Sequence, residues 1–402
     1  MLAFVRNGQL WVIQEDGTQA RELVTGGVAG YAWSPDHHQL VFRGVAQVSV
    51  SLPGGSASVS DQPGSLGVVS INGGFPLQIT PGNDTVARSD GWWNADGNRL
   101  LYRETYGQPG EIGAVAAYIV SQADQPAGIA RKTVLGAASL PVLSPDGKQI
   151  AVIDSAGSLL LGPPGSTGSP LAHNALLTLP QTNRPAHLLW RPNTDELVYP
   201  TQTANGVTLM DVHPGQAPRP LLTVPALLDA AFSPNGASLL VRTPQVFMLM
   251  RLGTTQNVSY SWAESDPNAL PWWSPDGQHV LIHDVGGWQL VDPAHQRVQP
   301  LLMYDAGATV LPAPVTPAAP VTWRPATGSP WSNDGAHVVF SAGSGTAWQG
   351  APLRKPHGAD YGLYVASFAN GGFKSPVLID SGADSAASWS YLDPSTTFLV
   401  GT

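Results

Sequence analysis

Four basic side chains occupy one repeated position in this chain. Arg43, Arg103, Arg242 and His283 each stand ten residues after an aromatic residue. Three further repeats hold Ile153, Pro200 and Ser341 at that position. In an acidic protein such a recurrent cation reads as a receptor for a carboxylate, from a peptide terminus or an acidic sugar. Arg suits the task because its planar fork grips two carboxylate oxygens at once. The competing use is ion pairing inside the protein, with Glu104, Asp154 and Asp284 as neighbouring carboxylates, since buried Arg is usually paired. Tyr106, Trp348 and Tyr361 lie outside the repeat register, in or beside long loops. They are the expected apolar contacts of a ligand.

No residue is assigned a catalytic role. The chain has no Gly-x-Ser-x-Gly elbow, the strained turn that exposes the serine of an α/β-hydrolase. A His-Glu-x-x-His helix, a phosphate loop and an EF-hand loop are missing too. His279 and His283 are four apart on an expected strand. At ~3.3 Å per residue that is roughly 13 Å, too far to share a metal. No metal or cofactor is expected. The residues favour a non-enzymatic binding or sensor module. The alternative is a hydrolase or lyase acting on a saccharide or peptide at a channel mouth.

The elements that position these residues come from one phrase repeated eight times. It begins at Trp33, Trp93, Leu143, Trp190, Phe232, Trp273, Trp331 and Trp389, with spacings of 60, 50, 47, 42, 41, 58 and 58 residues. Repetition at this interval marks a radial or solenoid repeat. The fullest copies read Trp-Ser-Pro-Asp-Gly. Pro presets φ at the second turn position, Asp tolerates the third, and Gly accepts positive φ at the fourth. Asp36, Asp96, Asp146, Asp276 and Asp334 should bond turn amides. An apolar run begins seven residues after each aromatic, as at Leu40-Val41-Phe42 and Val338-Val339-Phe340. Each phrase is therefore strand, tight turn, strand, and two more strands follow. Four strands per unit predict an all-β propeller of four-stranded antiparallel blades, eight in number, with seven as the alternative. The strict register of Trp33, Trp93, Trp190, Trp273, Trp331 and Trp389 makes them packing anchors between blades.

Both ends of the chain contribute to one closing blade. Leu2 to Arg6, Leu10 to Gln14 and Arg21 to Val24 supply three strands, and Ala387 to Trp389 supplies the first. Thr397 to Val400 competes with Leu2 to Arg6 for the second place. Long insertions at 44–65, 104–113 and 342–360 fall between second and third strands, and the 304–320 connector is rich in Ala and Pro. Long loops on one side of a rigid scaffold are where binding usually sits.

The phrase, with Gln9-Leu10-Trp11-Val12-Ile13 followed by Asp16-Gly17, resembles the WD40-like repeats of the TolB family, which also occur in the propellers of prolyl-oligopeptidase relatives. The resemblance spans essentially the whole chain and implies a propeller. It departs from TolB proper, for which an N-terminal α/β domain and six blades are expected, and from the peptidases, which add a hydrolase domain.

Composition narrows the partners. Of 402 residues only 12% are charged and 43% are apolar, with 44 Gly and 37 Pro to serve the turns. The repeat makes residues 1–402 a single domain despite the length. A net charge of −9 with no Lys/Arg cluster disfavours nucleic acid. Zero cysteines exclude disulfides and thiolate metal sites. No 18-residue apolar run offers membrane insertion. The expected partner is a protein, peptide or saccharide, and the expected state is a monomer. Low charge and high Trp, Ser, Thr and Gly content point to an extracytoplasmic protein, periplasmic, secreted or anchored. Met1 abuts a strand, so a signal or anchor ahead of this segment is expected.

Overall fold

The structure, a computed structural model, describes residues 1–34, 36–45, 64–82, 86–93, 97–106, 115–126, 132–134, 141–145, 148–163, 168–179, 184–185, 188–253, 260–263, 270–284, 287–304, 330–332, 334–343, 346–353, 361–381 and 388–389. The bulk of the 44–65 insertion, the 305–320 connector, Asp96, Asp146 and the strand expected at 397–400 lie outside them.

The local unit is the serine-centred turn. Ser274 is buried at 2% exposure. Its Oγ donates to Asp276 Oδ1 at 2.5 Å and accepts the His279 N–H at 2.9 Å. Asp276 Oδ1 also accepts the Gln278 N–H at 2.9 Å. The same arrangement joins Ser332 to Asp334 and His337, Ser34 to Asp36 and Gln39, and Ser233 to Asn235 and Ser238. The turn's last residue has positive φ: +68° at Gly236, +69° at Gly277 and +68° at Gly335. His37 takes that place at +62° in the first copy, a conformation disfavoured for residues with a Cβ.

These turns build a β-propeller of eight four-stranded antiparallel blades, with no helix among the described residues. Blade 1 orders Ser388–Trp389, Leu2–Arg6, Gln9–Ile13 and Arg21–Val24. Leu2 is paired with Trp389 and Ala3 with Ser388. Blade 2 holds Val28–Trp33, Gln39–Val45, Gly64–Ser70 and Leu77–Gln78. Blade 3 holds Trp92–Trp93, Arg99–Tyr106, Val115–Gln122 and Lys132–Val134, and Ala87–Arg88 extends its first strand. Blade 4 runs from Val142–Leu143 to Ser169–Ala172, blade 5 from Leu189–Trp190 to Arg219–Val224, blade 6 from Asp229–Phe232 to Tyr260–Ala263, and blade 7 from Leu270–Trp273 to Arg297–Tyr304. In blade 8 the first strand is reduced to a Trp331–Val338 bridge beside His337–Gly343, Tyr361–Ala369 and Val377–Ser381. The contacts form two compact units, one of Met1–Gly136 with Tyr304–Leu392, the other centred on Ala137–Met303.

Within each unit the core lies between blades. Side chains alternate across a strand, and here both faces are covered. In blade 1, Ala3 and Val5 join Tyr31, Trp33 and Phe42 of blade 2, while Leu2 and Phe4 join Val339, Leu363 and Val365 of blade 8. In blade 5, Leu197 and Tyr199 face Val142, Ala151 and Ile153 of blade 4, while Val198 faces Phe232, Leu239 and Val241 of blade 6. The strands consequently read as continuous apolar runs. Trp33 and Trp190 sit in these seams. Trp33 and Trp331 are fully buried and Trp273 is 2% exposed. Trp93 Nε1 donates to Ala32 O at 3.2 Å and Trp190 Nε1 to Val142 O at 3.4 Å. In both pairs the acceptor directly precedes the neighbouring blade's aromatic position.

Trp273→Ala should cost about 3–5 kcal/mol through lost burial and a cavity, read as a reduced midpoint in urea; an unchanged midpoint would refute the packing role. A second expectation concerns acid. The Ser34 and Ser332 hydroxyls hold Asp36 and Asp334 below the ordinary aspartate range. A depressed folded pKa gives stability that is present above the unfolded value of about 3.9 and lost as pH falls through the folded one. Ser332→Ala should cost about 1–3 kcal/mol at pH 7, and its deficit relative to the parent should narrow below about pH 4.

Candidate functional site

The long insertions leave from equivalent strand ends in the first unit. Second strands end at Val45, Tyr106 and Gly343, and third strands resume at Gly64, Val115 and Tyr361. Beneath the first two insertions lies a buried ionic layer. Arg43 Nε donates to Asp90 Oδ1 at 2.7 Å, with the two side chains 11% and 10% exposed. This pair links blade 2 to the segment leading into blade 3. Arg43 stands opposite Gly30 in its own blade. A Cβ at residue 30 would lie 2.3 Å from Asp90 Oδ1, so the missing side chain is what lets the carboxylate reach Arg43. Beside it, Arg88 Nε donates to Glu104 Oε1 at 3.0 Å, with both side chains under 5% exposed. Arg88 Nη1 also donates to Gly64 O at 3.0 Å and Pro81 O at 3.2 Å. Gly64, where the 44–65 insertion rejoins the blade, is thereby fastened to blade 3.

This layer accounts for part of the repeated cation position. Arg43 is committed to Asp90, and Arg242 is buried at 2% exposure in register with Asp229, itself 7% exposed. Arg103 is half-buried in the Arg99–Tyr106 strand, where its N–H bonds Ser89 Oγ at 2.9 Å. His283 is half-buried, its ring 5.0 Å from that of Trp288, which stacks on Trp272. Trp348 has a packing role where an exposed ligand contact was expected. It is 4% exposed, stacked on Phe340 at 4.9 Å and edge-on to Phe373 at 5.6 Å. It anchors the short Thr346–Trp348 and Ala351–Pro352 hairpin inside the third insertion. Tyr106 ends its strand and Tyr361 begins one; their side chains lie outside the described residues.

Sequence reasoning missed Arg88 and Asp90. Asp90 carried a usable signal, since it stands three residues before Trp93, as Asp229 stands three before Phe232. Arg88 carried none. Its carboxylate partner Glu104 was named as a partner for the repeated cations, yet it binds an arginine outside that set.

No family model matches the chain, and no curated protein matches it. Solved structures do. A eukaryotic initiation factor is 9% identical with a TM-score of 0.55, covering 97% of this chain and 98% of that one. An oligogalacturonate lyase in complex with manganese is 12% identical with a TM-score of 0.51, covering 92% and 99%. The C-terminal WD40 domain of Sif2 is 15% identical with a TM-score of 0.47, covering 73% and 78%. At such identities the likeness is one of β-propeller fold alone.

The ionic layer makes a sharp prediction. Gly30→Ala should drive Asp90 off Arg43 and cost about 3 kcal/mol, the scale for breaking a buried pair. In an Asp90→Ala background the same substitution should be nearly neutral, because the atom it collides with is gone. Equal costs in both backgrounds by urea unfolding would show that Gly30 matters for another reason.

Proposed function

We propose that this chain is a non-enzymatic binding propeller. It takes a peptide or saccharide ligand between the insertions at 44–65, 104–113 and 342–360. The observation that carries the reading is the buried Arg43–Asp90 and Arg88–Glu104 layer beneath the first two of these loops. It holds the strand ends rigid, so loops launched from them lose little entropy when a ligand binds. Tyr106 and Tyr361, at the bases of two insertions, are the proposed aromatic contacts, and Arg103 is the proposed polar anchor for a ligand carboxylate. Aromatic anchors with an Arg fork are the usual dominant contributors to such sites. The repeat phrase supports kinship with TolB-type WD40-like propellers. Low charge and high Trp, Ser, Thr and Gly content support an extracytoplasmic setting.

The test is a thermal-shift screen of acidic oligosaccharides, peptidoglycan fragments and short peptides, followed by titration of each hit. Tyr106→Ala with Tyr361→Ala should weaken a hit at least tenfold while leaving the unliganded melting temperature within a few degrees. Arg103→Ala should weaken ligands bearing a carboxylate and spare neutral analogues. A hit whose affinity survives all three changes, or one turned over chemically, would overturn the reading.

A further inference from the structure

Blade 5 carries a second polar cluster, at the end where its turns are short. Glu196 directly precedes the second strand, Leu197–Thr203, and is 4% exposed; Asp211 lies near the end of the third, Gly206–Val212, and is 1% exposed. His213 follows two residues later with its side chain 23% exposed. One donor atom from each of the three lies within 4.8 Å of the others. His213 Nε2 is 3.7 Å from Asp211 Oδ1 and 3.9 Å from Glu196 Oε2.

Two observations separate this cluster from a surface group of acids. Asp211 Oδ1 is buried and accepts no hydrogen bond, although its partner Oδ2 is bound by Arg219. Such an acceptor is costly to bury unless something satisfies it, and it faces the imidazole nitrogen. On the other side of the ring, His213 Nδ1 lies 3.1 Å from Asp195 Oδ1. A carboxylate there keeps the proton on Nδ1 and turns the Nε2 lone pair toward Asp211 and Glu196. This carboxylate–imidazole arrangement is the one that orients histidine toward a metal. Glu196 Oε2 accepts from Arg191 Nη1 at 2.7 Å and Asp211 Oδ2 is bound by Arg219, so with Asp195 the cluster sets three carboxylates against two guanidiniums and retains uncompensated negative charge.

We propose that Glu196, Asp211 and His213 bind a divalent cation of the zinc class, with Asp195 as the positioning residue for His213. Tetrahedral ligands at about 2.0–2.1 Å from zinc stand about 3.3–3.4 Å apart, so the observed separations close with small side-chain shifts. One imidazole and two carboxylates suit zinc better than calcium or magnesium, which prefer all-oxygen shells. Three protein ligands leave a coordination position open to water or an incoming anionic group. Arg219, 65% exposed on its side chain, competes for Asp211 and swings away at little cost.

The experiment is calorimetric titration of untagged, chelator-stripped protein with zinc chloride, with melting temperature followed in parallel. The expected result is one equivalent bound and a saturable rise in melting temperature. His213→Asn should abolish it. Asp195→Ala, at a side chain 70% exposed and so without effect on folding, should weaken it about 10–100-fold. Arg219→Ala should tighten it. Absence of stoichiometric binding by the parent protein overturns the proposal. So does affinity unchanged in His213→Asn, which would place the zinc on other histidines. Should His213→Asn fail to fold, unchanged affinity in Asp195→Ala overturns it instead.

Discussion

The serine hydroxyl inside the turns at Ser34, Ser233, Ser274 and Ser332 is the interaction on which those blades depend. It donates to the carboxylate or amide oxygen two residues on and accepts the amide five residues on. The first bond fixes the turn; the second fixes where the next strand begins. Because side chains alternate with a period of two, a slip of one residue would move every apolar side chain to the opposite face. In most folds such a slip exchanges core for solvent. Here it exchanges one seam for another, and each seam is shaped for its own residues. Leu2 and Phe4 fit against blade 8, and Ala3 and Val5 fit against blade 2. Register is therefore a matter of volume more than polarity, and the serine-centred turn supplies the polar certainty that volume alone does not.

The two ends of a blade are stabilised differently. At the short-turn end, neighbouring turns touch backbone to side chain. Arg191 Nε donates to Gly236 O at 2.7 Å, and a Cβ at Gly236 would lie 3.0 Å from Pro192 O. At the loop-bearing end of the first unit, the Arg43–Asp90 and Arg88–Glu104 pairs are buried on both partners. Such pairs add little net stability over apolar packing, but breaking one partner is costly. They thus favour a single geometry at the point where the chain departs on long excursions.

Much of the fold was legible because its signals are local. Pro, Asp and Gly at fixed offsets declare the turn, and the apolar run seven residues past each aromatic declares the second strand. The sharing of blade 1 by both ends followed from counting strands. Thr397 to Val400, the competing second strand, lies outside the described residues, and Leu2–Arg6 holds that place. The site was less legible. Whether Arg43 faces ligand or carboxylate depends on Asp90, 47 residues away, and on the absence of a Cβ at Gly30. Trp348 stands off the repeat register and so looked like a surface residue, yet Phe340 and Phe373 enclose it. A repeat alignment compares like positions and is silent on contacts between unlike ones. His213 escaped for the same reason, since it belongs to no repeated position.

The blade shared by both ends bears on how a nascent chain reaches this fold. Arg6 pairs with Asp380 across 374 residues. Closing a loop of that length costs about 3 kcal/mol more than closing one of ten residues, on (3/2)RT ln n scaling. At roughly 5–20 residues per second, the Leu2–Arg6 strand waits roughly 20–75 s on the ribosome before its inner partner Ser388–Trp389 is made. For that interval an apolar strand, buried along nearly its whole length in the finished protein, presents an unpaired edge of the kind that templates aggregation. Safe synthesis then depends less on final stability than on how the Leu2–Arg6 strand is shielded until Ser388–Trp389 emerges.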